Sequence, residues 1–258
     1  MTALDTLNAT IATAPRLWLF LDYDGTLDDF APTPDEVYPN PAVIEVLTRL
    51  QANPRIRPTI ISGRRLAHIE QLVPLPGILL AGTYGIELRT AEGAYQHRVP
   101  LETVRPILDA LKSGWAALIR DHAGFYLEDK NWALALHARY ADDALANHVL
   151  TAARALLAEH SGPAFEEHFR VLGGHKFLEI GPQLAHKGRT LEYLLDTYPC
   201  PDALLVYVGD DDKDEEAFAV IQAHGGLAVV VGAAERESRA DYRLPHPQAV
   251  HAWLQTLL

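Results

Sequence analysis

Residues 17–27 read LWLFLDYDGTL, an apolar run of strand length that ends in two carboxylates two residues apart. Gly25 and Thr26 follow at once. Side chains on a strand alternate faces, so Asp22 and Asp24 are expected to point the same way as the strand runs out. Two acidic groups at the end of a buried strand are costly to desolvate unless a cation or a substrate compensates them. A strand followed by an ordinary Asp/Gly turn would explain Gly25 but not the paired carboxylates.

The rest of the chain repeats this design. Residues 57–62 predict a second strand ending at Ser62-Gly63, where a helix is expected to open and run to about Val73. ILLAG (78–82) is a third strand, and a Pro-rich loop at 31–41 precedes a helix with Val43, Val46, Leu47 and Leu50 on one stripe. Strand and helix alternate again after residue 180. Leu191, Leu194, Leu195 and Tyr198 form a helical stripe, ALLVYVGDD a strand, 214–223 a helix, LAVVVG a strand, and Val250, Trp253, Leu254 and Leu257 a closing helix. Such alternation predicts an α/β fold with a parallel sheet and right-handed crossovers.

Between these halves the pattern changes. Val104, Ile107, Leu108 and Leu111 mark a helix, and 124–130 with 133–139 a hairpin around Asn131. Leu145, Val149, Ala152 and Leu156 mark a second helix, and 165–171 with 175–180 two further strands joined at Gly173-Gly174. Consecutive hairpins with two helices predict an inserted α+β domain at residues 103–180, leaving 1–102 and 181–258 as the core.

Composition narrows the class. The 258 residues are 48% hydrophobic and 22% charged, as expected of a chain with a sizeable core. The net charge of −12 and the lack of a basic block argue against a nucleic-acid or anionic-membrane surface. Cys200 is the single cysteine, so no intrachain disulfide is possible, which suits a reducing compartment. The N-terminal MTALDTLNATIATAP lacks a charged region and a long apolar run, so no signal peptide is expected, and no stretch approaches a membrane span. A cytoplasmic protein with no obligate protein partner is expected. The twelve histidines show no metal-ligand spacing.

Four segments at predicted strand ends or helix starts carry polar residues, and in open parallel sheets that edge binds ligands. The first is Asp22, Asp24 and Thr26. In the second, IISGR, Ser62 and the amides after it are placed at a helix N-terminus, which attracts phosphate; a plain N-cap serine is the simpler reading of that segment alone. The third is Lys187, in AHKGRT at a helix start, where a cation opposes the helix dipole and a bound phosphate would justify it; a solvated surface lysine is the ordinary alternative. The fourth is VGDDDKDEEAF (208–218), with six acidic residues after an apolar strand. Helix capping explains some of them but not three successive aspartates, and clustered hard oxygens beside a phosphate site suit Mg²⁺.

The order DxDGT, SGR, Lys before a helix, then GDDxxDE resembles the four motifs of the haloacid dehalogenase-like phosphohydrolases across the whole chain. The resemblance implies a Rossmann-like core with an inserted α+β cap. It implies Asp22 as a nucleophile that becomes an aspartyl-phosphate, and Asp24 as general acid and base. Mg²⁺ would be held by Asp22, the Asp24 carbonyl and Asp210, with support from Asp211 or Asp214. Lys187 and Ser62, with Gly25, Gly63 and Arg64, would neutralise the phosphoryl group. Thr26 would add a hydroxyl or fix the turn.

The insert is where a leaving group would be read. In GFYLEDKNWALALHARY, alternation puts Glu128 and Lys130 on one face, and His137 and Arg139 on one face, with Leu134 and Leu136 opposite. Polar residues sharing a face suit a sugar, although the solvent face of a half-covered sheet has the same pattern. Glu128-Asp129-Lys130, LALHAR and GHKFLEIGPQLAHKG are similar to the cap segments of the trehalose-6-phosphate phosphatase family. That resemblance makes Glu128, Lys130, Arg139 and Glu179, with His137, the sugar contacts, and a small-molecule sugar phosphate the partner. Tyr84, Ala138 and Gly181 stand where the family more often has His, Tyr and Arg. The alternatives are a phosphatase of a sucrose, glucosylglycerol or mannosyl-phosphoglycerate type, a phosphomutase, and a non-catalytic sugar-phosphate-binding domain.

Overall fold

The computed structural model describes residues 3–31, 37–160, 162–233 and 236–258. The expected Pro-rich loop at 31–41 therefore lies partly outside the described residues. In chain order the elements begin α1 (Ala3–Thr13), β1 (Arg16–Leu21), α2 (Pro41–Ala52), β2 (Ile56–Ile61), α3 (Leu66–Leu72), β3 (Leu79–Gly82), a 3₁₀ turn (Thr83–Gly85), β4 (Glu87–Arg89) and β5 (Tyr95–His97). They continue α4 (Leu101–Ile119), β6 (Tyr126–Asp129), β7 (Leu134–His137), α5 (Asp143–Ala158), α6 (Pro163–His168), β8 (Phe169–Gly174) and β9 (Phe177–Pro182). The chain closes with α7 (Lys187–Thr197), β10 (Ala203–Gly209), α8 (Asp214–Ala223), β11 (Leu227–Val231), β12 (Tyr242–Leu244) and α9 (Pro247–Gln255).

Two compact units result, one of residues 1–96 and 186–258, the other His97–Ala185. The second unit is wider than residues 103–180 because α4 already starts at Leu101 and β9 runs to Pro182.

The first unit carries an eight-stranded sheet in the order β12-β11-β10-β1-β2-β3-β4-β5. From β12 to β3 all neighbours are parallel, and β4 returns antiparallel to β3. Alternation along β1 sends Leu17, Leu19 and Leu21 into a core layer with α1, α2, α3 and α9, and Trp18 and Phe20 into a layer with α7 and α8. β1 lies between β2 and β10; from β1 the chain goes on to β2 on one side, and from β10 to β11 on the other. The crevice beyond the carboxyl ends of β1 and β10 is thus a topological switch point, the place where such sheets take ligands. Asp22 is tied there, its N–H donating to the Val208 carbonyl at 3.0 Å.

The second unit is an antiparallel sheet, β6-β7-β9-β8, with α4 packed on α5 and on β6, β7 and β9. Trp115 of α4 is fully buried and its indole N–H donates to the Ala153 carbonyl at 3.1 Å. No helix among the described residues is long and apolar enough to cross a membrane.

Several local expectations need correction. Ser62-Gly63 does not open α3, which starts at Leu66 with Arg65 as its cap. Residues 165–168 are helical, not extended; Phe165 and Phe169, four apart, stack with ring centroids 5.2 Å apart. The buried stripe of α5 is Ala146, Val149, Leu150, Ala153 and Leu157; Val149 is where it was expected, while Leu145, Ala152 and Leu156 are half-buried and the residue after each is buried instead. β7 stops at His137, which leaves Arg139 exposed in the turn before α5 rather than beside His137 on a strand face. The strands β4, β5 and β12 are three residues each and carried no periodic signal.

Replacing Trp115 with Ala removes a fully buried indole and its hydrogen bond. We expect a loss of about 3–5 kcal/mol, read as a lower denaturant midpoint. An unchanged midpoint would show that α4 and α5 do not pack through this residue.

Candidate active site

At the switch point a buried ammonium sits among carboxylates. Lys187, the first residue of α7, is 2% exposed, which rules out the solvated-lysine reading. Its Nζ donates to Asp22 Oδ1 at 2.8 Å and to Asp214 Oδ1 at 2.6 Å. Asp214 Oδ1 also accepts from the Tyr207 hydroxyl at 2.8 Å. Asp214 Oδ2 accepts the backbone N–H groups of Asp210 and Asp211, both at 3.0 Å. Asp214 is therefore fully engaged by four donors, and its work is to hold Lys187 and the 210–211 turn. Tyr207 was not foreseen, because an aromatic residue inside an apolar strand reads simply as core.

One oxygen from each of Asp22, Asp210 and Asp214 can be chosen so that all lie within 4.8 Å of one another. Thr26 is fully buried beside them, its Oγ1 3.4 Å from Asp22 Oδ2 and 3.5 Å from Asp210 Oδ1. Gly25 has φ +79°, and a Cβ on it would overlap the Asp210 carboxylate. The turn after β1 thus approaches Asp210 as only glycine permits.

Electrostatics show that this cluster holds too much negative charge for one lysine. Burial, reinforced by the other acids and only partly offset by Lys187, lifts the Asp22 carboxyl well above the usual range. Burial and then Asp214 and Asp211 push Asp210 up to about 7. Asp214 is raised too, by burial first. Burial would lower the Lys187 ammonium, but Asp214 and Asp22 outweigh it and hold it well above its ordinary value. Burial also works to raise Asp211, yet Lys187 and Lys213 prevail and hold it at about 2. Its oxygens are spent on Lys213 and on the amides of Lys213 and Asp214, which places it outside the three-carboxylate group. An all-oxygen donor set with surplus charge fits a hard divalent cation. Asp22 and Asp210 are the side chains that would hold it.

The other expected residues are distributed as follows. β1 ends at Leu21, so the alternation does not carry through to Asp24. Its carboxylate turns to Arg64, which donates Nε at 2.7 Å and Nη2 at 2.6 Å in a two-bond fork. Ser62 is buried and neither caps α3 nor lies at its end; its Oγ accepts the Arg64 N–H at 3.1 Å. The N-terminus of α3 is already served by a carboxylate absent from the sequence reading, Glu87, which accepts the Leu66 N–H at 3.2 Å and the Thr83 hydroxyl at 2.6 Å. Gly63 lies under Tyr84, whose ring would be 2.8 Å from an added Cβ.

In the second unit, Glu128, Ala135 and Glu179 form one row across β6, β7 and β9. The small Ala135 leaves room for Lys130 to reach Glu179 Oε2 at 2.9 Å and come within 3.9 Å of Glu128 Oε2. His137 Nε2 lies 3.0 Å from Glu128 Oε2, and its ring packs on Tyr126 and Phe177. Four of the five expected sugar contacts are thus brought together, while Arg139 is exposed in the turn after β7.

The sheet order, the switch-point aspartates and the buried lysine define a phosphohydrolase core of the haloacid dehalogenase-like class. The sequence pattern described as trehalose-phosphatase matches residues 20–248, and the chain belongs to that family. It is 31% identical over 254 residues to a trehalose-phosphate phosphatase of Mycobacterium tuberculosis, covering 96% of this chain and 62% of that relative's length. It is 30% identical over 259 residues to a probable trehalose-phosphate phosphatase D of Arabidopsis thaliana, covering 94% and 67%. The fold matches that of a C. albicans trehalose-6-phosphate phosphatase C-terminal domain with TM-score 0.83 at 22% identity, covering 98% and 96% of the two chains.

The Asp210 carboxyl, near 7 when folded and about 3.9 when unfolded, binds more protons in the folded state between those values. Its contribution to stability is full below about 4 and is lost as pH climbs through 7. Asp210→Asn should therefore raise the unfolding temperature of chelator-treated protein at pH 8, by an amount worth a few kcal/mol, and leave it unchanged at pH 4. Equal unfolding temperatures at pH 8 would contradict the charge surplus.

Proposed function

We propose that this chain is a Mg²⁺-dependent phosphatase that hydrolyses trehalose 6-phosphate to trehalose and phosphate through an aspartyl-phosphate on Asp22. The observation that carries the reading is the buried Asp22–Lys187–Asp214 chain at the switch point. It presents one carboxylate oxygen beside a permanent cation, as in-line attack on a phosphate ester requires. The family's match across both units supports the substrate.

Asp22 attacks phosphorus, and the phosphoryl group passes from the sugar oxygen to the carboxylate. Lys187 neutralises charge on the transferring oxygens, and Thr26 adds a hydroxyl beside them. Bound Mg²⁺, held by Asp22, Asp210 and the Asp24 carbonyl, would supply further charge neutralisation at the phosphoryl group. Asp24 protonates the departing sugar oxygen and then takes a proton from the water that cleaves the aspartyl-phosphate. A carboxylate in a two-bond fork with a guanidinium is satisfied in its ionised form, so the acid step requires Arg64 to release it. An incoming phosphate offers Arg64 an equivalent two-oxygen partner. The Glu128, Lys130, Glu179 and His137 group offers both donors and acceptors, as sugar hydroxyls need.

Phosphate release with and without Mg²⁺ should be compared for trehalose 6-phosphate, sucrose 6-phosphate, glucosylglycerol phosphate and glucose 6-phosphate. Mg²⁺-dependent release is expected, with kcat/KM highest for trehalose 6-phosphate. Preference for another ester would overturn the substrate, and isomerised sugar phosphate without free phosphate would overturn the hydrolase. Asp22→Asn should cost about 10⁴-fold or more in kcat; substantial residual turnover would remove Asp22 as nucleophile. Because Asp22 and Asp210, both held above the usual carboxyl range, must lose their protons to bind a cation, Mg²⁺ affinity should rise with pH through about 7. A flat dependence from pH 5.5 to 8 would contradict that role.

A further inference from the structure

Arg236 lies in the connection between β11 and β12, outside every motif that carried the functional reading. Its Nη2 donates to the carbonyl oxygens of Asp210 at 3.0 Å and Asp211 at 3.2 Å. Its Nη1 donates to Asp212 Oδ1 at 3.0 Å, and Glu215 Oε1 lies 3.4 Å from Nη2. The Asp210 carbonyl and the Asp211 N–H belong to one planar peptide group and point in opposite directions. One end of that plane is held by Arg236 and the other by Asp214 Oδ2 at 3.0 Å. The connection carrying Arg236 is itself fastened, since Arg243 donates to the Arg236 and Gly232 carbonyls, both at 3.3 Å.

We propose that Arg236 is a positioning residue for the metal site, fixing the Asp210–Asp211 peptide plane and thereby the direction in which Asp210 presents its carboxylate. This rests on the reading of Asp210 as a metal ligand. A peptide plane free to rotate about its flanking bonds would let the Asp210 side chain swing. The binding free energy would then be spent in part on reordering the turn. A lysine at 236 keeps the charge but cannot span two carbonyls and a carboxylate as a planar fork can.

Two physical roles predict opposite results. If Arg236 serves only to offset negative charge, Arg236→Lys will bind metal as the wild type does and Arg236→Ala will bind it more tightly, having lost a repelling cation. If Arg236 clamps the peptide plane, both variants bind more weakly. Calorimetric titration of the whole chain with Mg²⁺ alone, in the absence of substrate, separates them. We expect Kd for Mg²⁺ to rise at least tenfold in both variants, kcat at saturating Mg²⁺ to return to within about threefold of wild type, and KM for the sugar phosphate to hold. Asp212→Ala, which removes only the exposed partner of Nη1, should leave Kd within a factor of about three. Unfolding temperatures measured in chelator report whether each variant is folded, and Arg236→Lys serves if Arg236→Ala is not. Unchanged or tighter Mg²⁺ binding by Arg236→Lys overturns the inference and leaves the phosphatase reading standing. A wild-type chain that binds no Mg²⁺ overturns both.

Discussion

The ion pair between Lys187 and the two aspartates Asp22 and Asp214 is the constraint on which the rest of the site depends. It joins the ends of β1 and the start of α7 and α8 across 165 and 27 residues of sequence. Burying one ammonium with one carboxylate is seldom stabilising in itself, because both lose their hydration. Here a second and a third carboxylate share the pocket, and the surplus shows as Asp22 and Asp210 held above the usual acid range, with burial the main cause. A folded chain that keeps such a cluster carries a destabilising excess of buried negative charge at that edge. The parallel sheet makes this possible, since β1 and β10 deliver their carboxylates to one edge while α7 and α8 bring the lysine and its anchor.

Asp214 lies in the three-carboxylate group and acts there through the donors it accepts. Its two oxygens receive Lys187, Tyr207 and two backbone amides. It holds the lysine from one side and the turn that bears Asp210 from the other. Arg236 approaches the opposite side of that turn. The acidic run 210–216 is thus less a set of equivalent carboxylates than one, Asp210, held within a frame of charged residues that bond one another. Asp129 has a similar place in the second unit. Burial would raise it, yet the fork from Arg105 and the Lys112 ammonium hold it at about 2, and this fastens β6 to α4 between the two residues Glu128 and Lys130.

Much of this is legible in the amino-acid sequence. Apolar runs of strand length ending in Asp or Gly located β1, β2, β10 and β11, since such runs have few other uses in a chain of this composition. The residues Asp22, Thr26, Lys187, Asp210 and Asp214 do gather at one sheet edge. What escaped has physical causes. Three-residue strands have no period to read, so β4, β5 and β12 were invisible, and with β4 went Glu87, which occupies the helix end assigned to phosphate. Alternation was carried three residues past the end of β1 and two past the end of β7, which misplaced the Asp24 and Arg139 side chains. Tyr207 and Arg236 act through a hydroxyl and a fork whose partners lie on other elements, and no local pattern announces such contacts.

The central claim is that Asp22, in a buried, lysine-held cluster, is the nucleophile that takes up the phosphoryl group. The most direct test is to mix the Mg²⁺-loaded protein with trehalose 6-phosphate labelled in the phosphoryl group, quench in acid within the first turnover, and map the label. The account predicts protein-bound, base-labile label on the peptide containing Asp22, appearing before free phosphate and absent from Asp22→Asn. Free phosphate formed at the full rate with no label on the protein would contradict it.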